Sequence, residues 1–123
     1  MSKKRSLVKS FAFAFEGIRE AFKREPNFRT HILIATIASG IAIYLNFTVI
    51  EWIILFFTVA TVIVAELINT AVESLVDLVS PDIRVEAKLA KDVLAAAVFV
   101  TALLAVVIGV LLFVPKIILL LKG

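Results

Sequence analysis

From Leu7 to Phe22 the apolar residues Leu7, Val8, Phe11, Phe15, Ile18 and Phe22 recur at helical spacing and fall within an arc of about 100°. Lys9, Glu16, Arg19, Glu20 and Lys23 lie opposite them. This pattern predicts an amphipathic helix over residues 7–24 that lies in a membrane interface rather than across it. Its charged flank lacks the apolar core of a cleavable signal peptide, so the helix is expected to stay on the mature protein. Glu25-Pro26 then breaks the pattern, because the residue before a proline disfavours helix.

Three longer apolar runs follow. His31 to Phe47 is about 17 residues, the short limit for a membrane-spanning helix, and helical residues from Asn27 lengthen it to an expected span of 28–47. A short link around Asn46 to Glu51 leads to Trp52, an aromatic residue suited to the membrane interface. The run from Trp52 to Val79 is about 28 residues, roughly 42 Å at helical rise, so its last turns must project beyond a hydrocarbon layer of about 30 Å. Its expected span is 50–79, closed by Ser80-Pro81. Asp82 to Asp92 is polar and charged, and a third run, Val93 to Leu121, predicts a span over 90–121. The expected fold is all-α: one integral membrane domain over 1–123, with three transmembrane helices preceded by the surface helix.

Composition agrees with the pattern. A chain of 123 residues that is 62% hydrophobic is too apolar for an ordinary soluble domain. The absence of cysteine excludes disulfide frameworks, thiolate metal sites and cysteine nucleophiles, and a single histidine rules out His-rich metal clusters. Charge adds direction. Eight of the thirteen Lys and Arg residues precede residue 30, from Lys3, Lys4 and Arg5 through Arg29. Beside so apolar a remainder, this basic end fits anionic lipid headgroups and not nucleic acid. The N-terminus and the 82–92 segment together carry eleven Lys and Arg, and the 46–51 link carries none, which places the basic side in the cytoplasm. Lys116 and Lys122 dissent, since they fall on the far side.

The candidate chemistry sits in the second run. Glu66, Asn69, Thr70, Glu73 and Asp77 are separated by steps that return to nearly one azimuth, so they share a helix face. An ionised residue at bilayer depth costs at least about 2.5 to 3.5 kcal/mol on insertion scales, and several on one stripe need partners. A polar seam for helix packing uses Asn and Thr readily. It seldom needs three carboxylates.

Depth separates the roles. Glu66 lies about 21 Å along the helix from Trp52, and Glu73 about 10 Å further toward the cytoplasmic boundary. A carboxylate just inside the interface can meet a lipid hydroxyl as a general base. Glu73 can meet Mg-nucleotide, because Mg²⁺ is commonly bound by one or two carboxylates together with substrate phosphates. Glu25 is the candidate second ligand, against a reading as an exposed charge beside Pro26. Lys91, with Lys88 and Asp92, can neutralise nucleotide phosphates or serve as a positive-inside anchor. Phe13, on the charged side of the surface helix, can stack on a base or pack against another helix. Neither a Walker A loop nor a G-x-G-x-x-G pattern is present.

Four segments together carry a resemblance: Phe15-Glu16-Gly17-Ile18-Arg19, Glu25-Pro26-Asn27-Phe28-Arg29-Thr30-His31, Glu66 to Glu73 with Asp77, and Ala90-Lys91-Asp92. In this order within three apolar spans, they resemble the prokaryotic diacylglycerol kinase and undecaprenol kinase family, nearest its Gram-positive branch. The resemblance covers nearly the whole chain. It implies a homotrimer in the inner (plasma) membrane, multi-pass, with active sites at the cytoplasmic face built by neighbouring subunits. It makes Glu66 the catalytic base and Glu25 and Glu73 the metal and nucleotide carboxylates. Lys91 and Asp92 become nucleotide contacts, Asn69 lines the site, Asp77 joins the nucleotide set, and Phe13 stands near the adenine without the hydroxyl of a tyrosine. Arg29 and His31 fall on the lipid side.

The expected activity is ATP- and Mg²⁺-dependent phosphorylation of a lipid alcohol, undecaprenol first and diacylglycerol as the alternative. Intramembrane acids also mark small ion or proton carriers. The Lys91-Asp92 cluster and the gathering of the acids toward one face speak against a carrier. A purely structural assembly subunit is the remaining alternative.

Overall fold

The computed structural model describes residues 6–82 and 84–123. The basic residues Lys3, Lys4 and Arg5 lie outside the described residues. The described chain forms four helices: α1 (Leu7–Arg24), α2 (Pro26–Tyr44), α3 (Val49–Val79) and α4 (Val85–Lys122).

Helix α1 starts at Ser6, whose hydroxyl accepts from the backbone N–H of Lys9 at 3.3 Å. Lys23 and Arg24 in its last turn complement the helix dipole. Its apolar stripe is left uncovered by the rest of the chain: Leu7 is 74% and Phe15 70% exposed, and only Ala21 is buried. That is the form required of a helix whose apolar side faces lipid.

Glu25 is at once the C-cap of α1 and the N-cap of α2, in extended backbone, and Pro26 opens α2. This follows from the pre-proline restriction and from the tolerance of proline in a first helical turn. The junction is then pinned from beyond it. One guanidinium nitrogen of Arg29 donates to the carbonyls of Phe22 and Lys23, both at 2.9 Å, satisfying open acceptors at the end of α1.

Helix α2 stops at Tyr44, short of the expected 47, for a local reason. Asn46 takes a left-handed conformation, φ 55°. The N–H of Phe47 returns to Ala42 O and that of Asn46 to Ile43 O, each at 3.2 Å, which is a Schellman closure with asparagine in the left-handed position. Thr48 then caps α3: its hydroxyl accepts from Glu51 N–H at 3.3 Å while the Glu51 carboxylate accepts from Thr48 N–H at 2.9 Å.

Helix α4 begins at Val85 instead of 90, because the charged stretch before the third apolar run is itself helical. Lys88 and Asp92, one turn apart on that helix, pair at 2.6 Å. Asp92 thereby holds the Lys88 ammonium above its usual pKa. At 31 and 38 residues, α3 and α4 are, among the described residues, the two helices long and apolar enough to cross a membrane. They extend about 46 Å and 57 Å, beyond the thickness of a hydrocarbon layer. Helix α2, with 19 residues, carries Asn27, Arg29, Thr30 and His31 in its first turns and is less apolar.

Helix α3 packs along α4 most extensively, and α2 leans on α3. A small buried cluster of Ala42, Phe47, Leu55 and Leu112 forms around the α2–α3 turn. Lys116, the residue at odds with the charge asymmetry, is neutralised there. Its ammonium pairs with Glu51 at 2.8 Å, donates to Asn46 O at 3.3 Å and lies 5.7 Å from the centre of the Phe47 ring. The acid that caps α3 thus also compensates the lysine of α4.

Candidate active site

At the opposite end of the bundle, the stripe expected on α3 is formed. Its innermost member, Glu66, is buried, with its side chain 3% exposed. Its backbone carbonyl accepts from the Thr70 hydroxyl at 3.0 Å, so Thr70 turns back on its own helix. Asn69 and Glu73, one turn apart, meet through Asn69 Nδ2 and Glu73 Oε1 at 3.4 Å.

Two buried oxygens are not satisfied. Among the described residues neither Glu66 Oε1 nor Asn69 Oδ1 has a hydrogen-bond partner. Buried polar atoms are seldom left so, and where they are, a ligand or a catalytic role is a usual reason. Nε2 of His31 approaches Glu66 Oε1 to 3.2 Å, an ion-pair distance without hydrogen-bond alignment. Glu25 and Glu73 are near enough for their charges to act on the Glu66 carboxylate. Three acids and one imidazole, from the α1–α2 junction, α2 and α3, therefore converge on one place.

Lys91 extends the cluster to α4. Its ammonium pairs with Asp77 across the α3–α4 interface, and the charge of Glu73 reaches it as well. Both partners are partly open to solvent, with side chains 39% and 65% exposed, so the pair can be opened by a competing anion at little cost. Asp92 is turned instead to Lys88. The structure thus brings Glu25, His31, Glu66, Asn69, Glu73, Asp77 and Lys91 into one run from the buried end of the stripe to the polar end. Phe13 stands half-exposed on α1. Arg29 is engaged at the end of α1.

Beside this run is an apolar cavity of about 280 Å³ between α2, α3 and α4, with His31, Ala35, Val62, Ala105, Gly109 and Phe113 among its walls. It is open space: a β-carbon added at Gly109 would touch nothing within 4 Å. A buried acid with an open oxygen, next to an apolar slot and in line with a second acid and a lysine at the polar end, can accept a proton from an apolar alcohol while a phosphorylated co-substrate is held from water.

The His31–Glu66 contact is not among the sequence expectations, because it depends on how α2 lies against α3.

Comparison with known proteins meets this geometry. The family model for prokaryotic diacylglycerol kinase matches residues 12–113. An undecaprenol kinase of Bacillus subtilis (strain 168) is 39% identical over 108 residues, covering 88% of this chain and 88% of the relative. A diacylglycerol kinase of Haemophilus influenzae is 33% identical over 108 residues, 87% of this chain and 92% of the relative. A diacylglycerol kinase of Synechocystis is 38% identical over 111 residues, 89% of this chain and 63% of the relative. With every residue of the converging cluster inside the matched region, the chain belongs to the prokaryotic diacylglycerol kinase family and is a lipid kinase.

Proposed function

We propose that this kinase is a homotrimer of three-span subunits that transfers the γ-phosphoryl group of ATP to the primary hydroxyl of undecaprenol at the cytoplasmic face of the plasma membrane. The observation that carries the reading is the buried Glu66 carboxylate with an open oxygen at the inner end of a stripe whose outer end is Glu73, Asp77 and Lys91. Similarity to an undecaprenol kinase over 88% of both chains favours undecaprenol. Diacylglycerol is the second reading, because two other relatives are diacylglycerol kinases. Both lipids offer a primary hydroxyl on a long apolar body.

In this reading Glu66 accepts the alcohol proton as the oxygen attacks the γ-phosphorus. Lys91 leaves Asp77 for the nucleotide phosphates, with Asp92 and Asn69 completing the polar wall and Phe13 near the base. Arg29 and His31 flank the lipid. The residues present fit a divalent cation that arrives with the nucleotide. No group of three or more His, Cys, Asp or Glu that could cage a bare ion is found among the described residues. Two carboxylates plus phosphate oxygens are a common Mg²⁺ environment, and Glu25 and Glu73 face the same acid, Glu66. Mg²⁺ held by Glu25 and Glu73 would neutralise charge on the transferring phosphoryl group. Holding the phosphates in place, with water kept from the deeper alcohol, is the work of the chain itself.

The deciding assay offers purified protein in mixed micelles, labelled ATP, and either undecaprenol or diacylglycerol. Undecaprenol is expected to be phosphorylated with the higher kcat/KM. A preference for diacylglycerol moves the substrate to the second reading, and phosphorylation of neither removes the kinase reading.

Orientation has its own test, made clean by the absence of native cysteine. A thiol introduced at Asn46 is expected to react with an impermeant reagent only from outside, and one at Arg84 only from the cytoplasm. The reverse labelling would invert the topology.

A further inference from the structure

The proposed reaction leaves a proton to be disposed of. The lipid O–H bond breaks, the new O–P bond forms, the bond from the γ-phosphorus to the leaving ADP oxygen breaks, and the proton stays on Glu66. Before the next turnover Glu66 must give that proton up, yet its side chain is 3% exposed and its open oxygen has no hydrogen-bond partner among the described residues. A base that cannot be emptied works once.

One basic nitrogen lies within reach. Among the described residues, Nε2 of His31 is the only Lys, Arg or His nitrogen within 4 Å of the Glu66 carboxylate, at 3.2 Å from Oε1. Its ring differs from Glu66 in exposure: it is 25% exposed and forms part of the cavity wall. The other charged groups facing Glu66 are Glu25, from the α1–α2 junction, and Glu73, from α3. Both are committed to the nucleotide in the proposed function. Either ring nitrogen of an imidazole can hold or give up a proton, which suits it to pass one on.

We propose that His31 is the relay that resets the base: it takes from Glu66 the proton removed from the lipid hydroxyl and releases it to water at the exposed edge of its ring. The inference rests on Glu66 being the base of the proposed kinase reaction. No further reactant is needed, since one proton leaves the alcohol and one reaches solvent per phosphoryl group transferred. His31 acts through Glu66 and so is a positioning and relay residue.

The role has a kinetic signature that packing lacks. Without the relay, an ionised Glu66 still performs the first phosphoryl transfer, and only later turnovers wait for the proton to escape. The test uses the full-length protein in mixed micelles with undecaprenol and labelled ATP, sampled from the first turnover onward. For His31→Ala and His31→Gln we expect a burst of one phosphorylated lipid per site at the wild-type rate. A steady state about 10²-fold slower follows, the lower end of what proton-transfer groups contribute. In His31→Ala, added imidazole should restore the steady state, and substituted imidazoles should do so in order of basicity. Thiazole, of similar shape but weakly basic, should not. The wild-type protein in the same assay separates the two levels: if it phosphorylates no lipid, the kinase reading itself has failed. If it does, three results overturn the relay: a first turnover slowed as much as later ones, an unchanged steady state, or equal rescue by thiazole and imidazole. Should His31→Ala lose nucleotide binding through misfolding, the burst measurement on His31→Gln decides alone.

Discussion

Glu66→Gln protein is expected to assemble, bind nucleotide and lose most lipid phosphorylation. The amide keeps the shape of the side chain and its place on α3 but cannot accept a proton from the alcohol. General-base assistance is typically worth about 10² to 10⁴ in rate, and the loss should fall in that range. Stability should hold or rise. Glu66 is buried, and a neutral amide is cheaper than a carboxylate at membrane depth. The carboxamide can also donate where the carboxylate oxygen has no hydrogen-bond partner among the described residues. A packing role orders the effects the other way, with loss of assembly preceding or accompanying loss of turnover. Oligomeric state and initial rate measured on one preparation distinguish the two. A folded Glu66→Gln protein with near-normal turnover would remove Glu66 from the chemistry.

The acid stripe that this substitution probes is legible in the amino-acid sequence alone. Glu66, Asn69, Glu73 and Asp77 obey the helical period inside an apolar run, and nothing outside α3 is needed to place them on one face. The break at Glu25-Pro26 is equally local, since proline restricts its predecessor whatever surrounds it. The start of α4 is harder to read. Residues 85–92 carry no apolar period, and their helical character lies in charge spacing, such as the four-residue step from Lys88 to Asp92. Partnerships between helices are out of reach altogether. That Lys91 pairs with Asp77, that Lys116 is compensated by Glu51, and that His31 meets Glu66 all depend on how α2 and α4 lie against α3. No periodicity along one helix encodes that arrangement.

The second large effect belongs to the outer end of the site. Glu73→Gln and Glu25→Gln are expected to raise the KM for Mg-ATP more than they lower kcat, because each removes a negative oxygen ligand while keeping the side-chain shape. Glu73 should be the more sensitive of the two. Its carboxylate is oriented by Asn69 and its charge reaches Lys91, so its loss affects both the cation and the lysine that meets the phosphates. Outer partners that orient a metal ligand are typically worth about 10- to 100-fold, and loss of the ligand itself should cost at least as much at limiting Mg²⁺. Raising Mg²⁺ should recover part of the activity, since a weakened site can still be filled by mass action. The same increase should do little for Glu66→Gln, whose defect is in proton transfer. A Mg²⁺ titration of the three variants beside wild type therefore sorts the acids by function. Recovery in the Glu73 and Glu25 variants with none in Glu66→Gln is the expected pattern. Full wild-type activity at limiting Mg²⁺ in both Glu73→Gln and Glu25→Gln would assign those acids to packing, leaving Lys91 with its Asp77 partner as the nucleotide contact to test next.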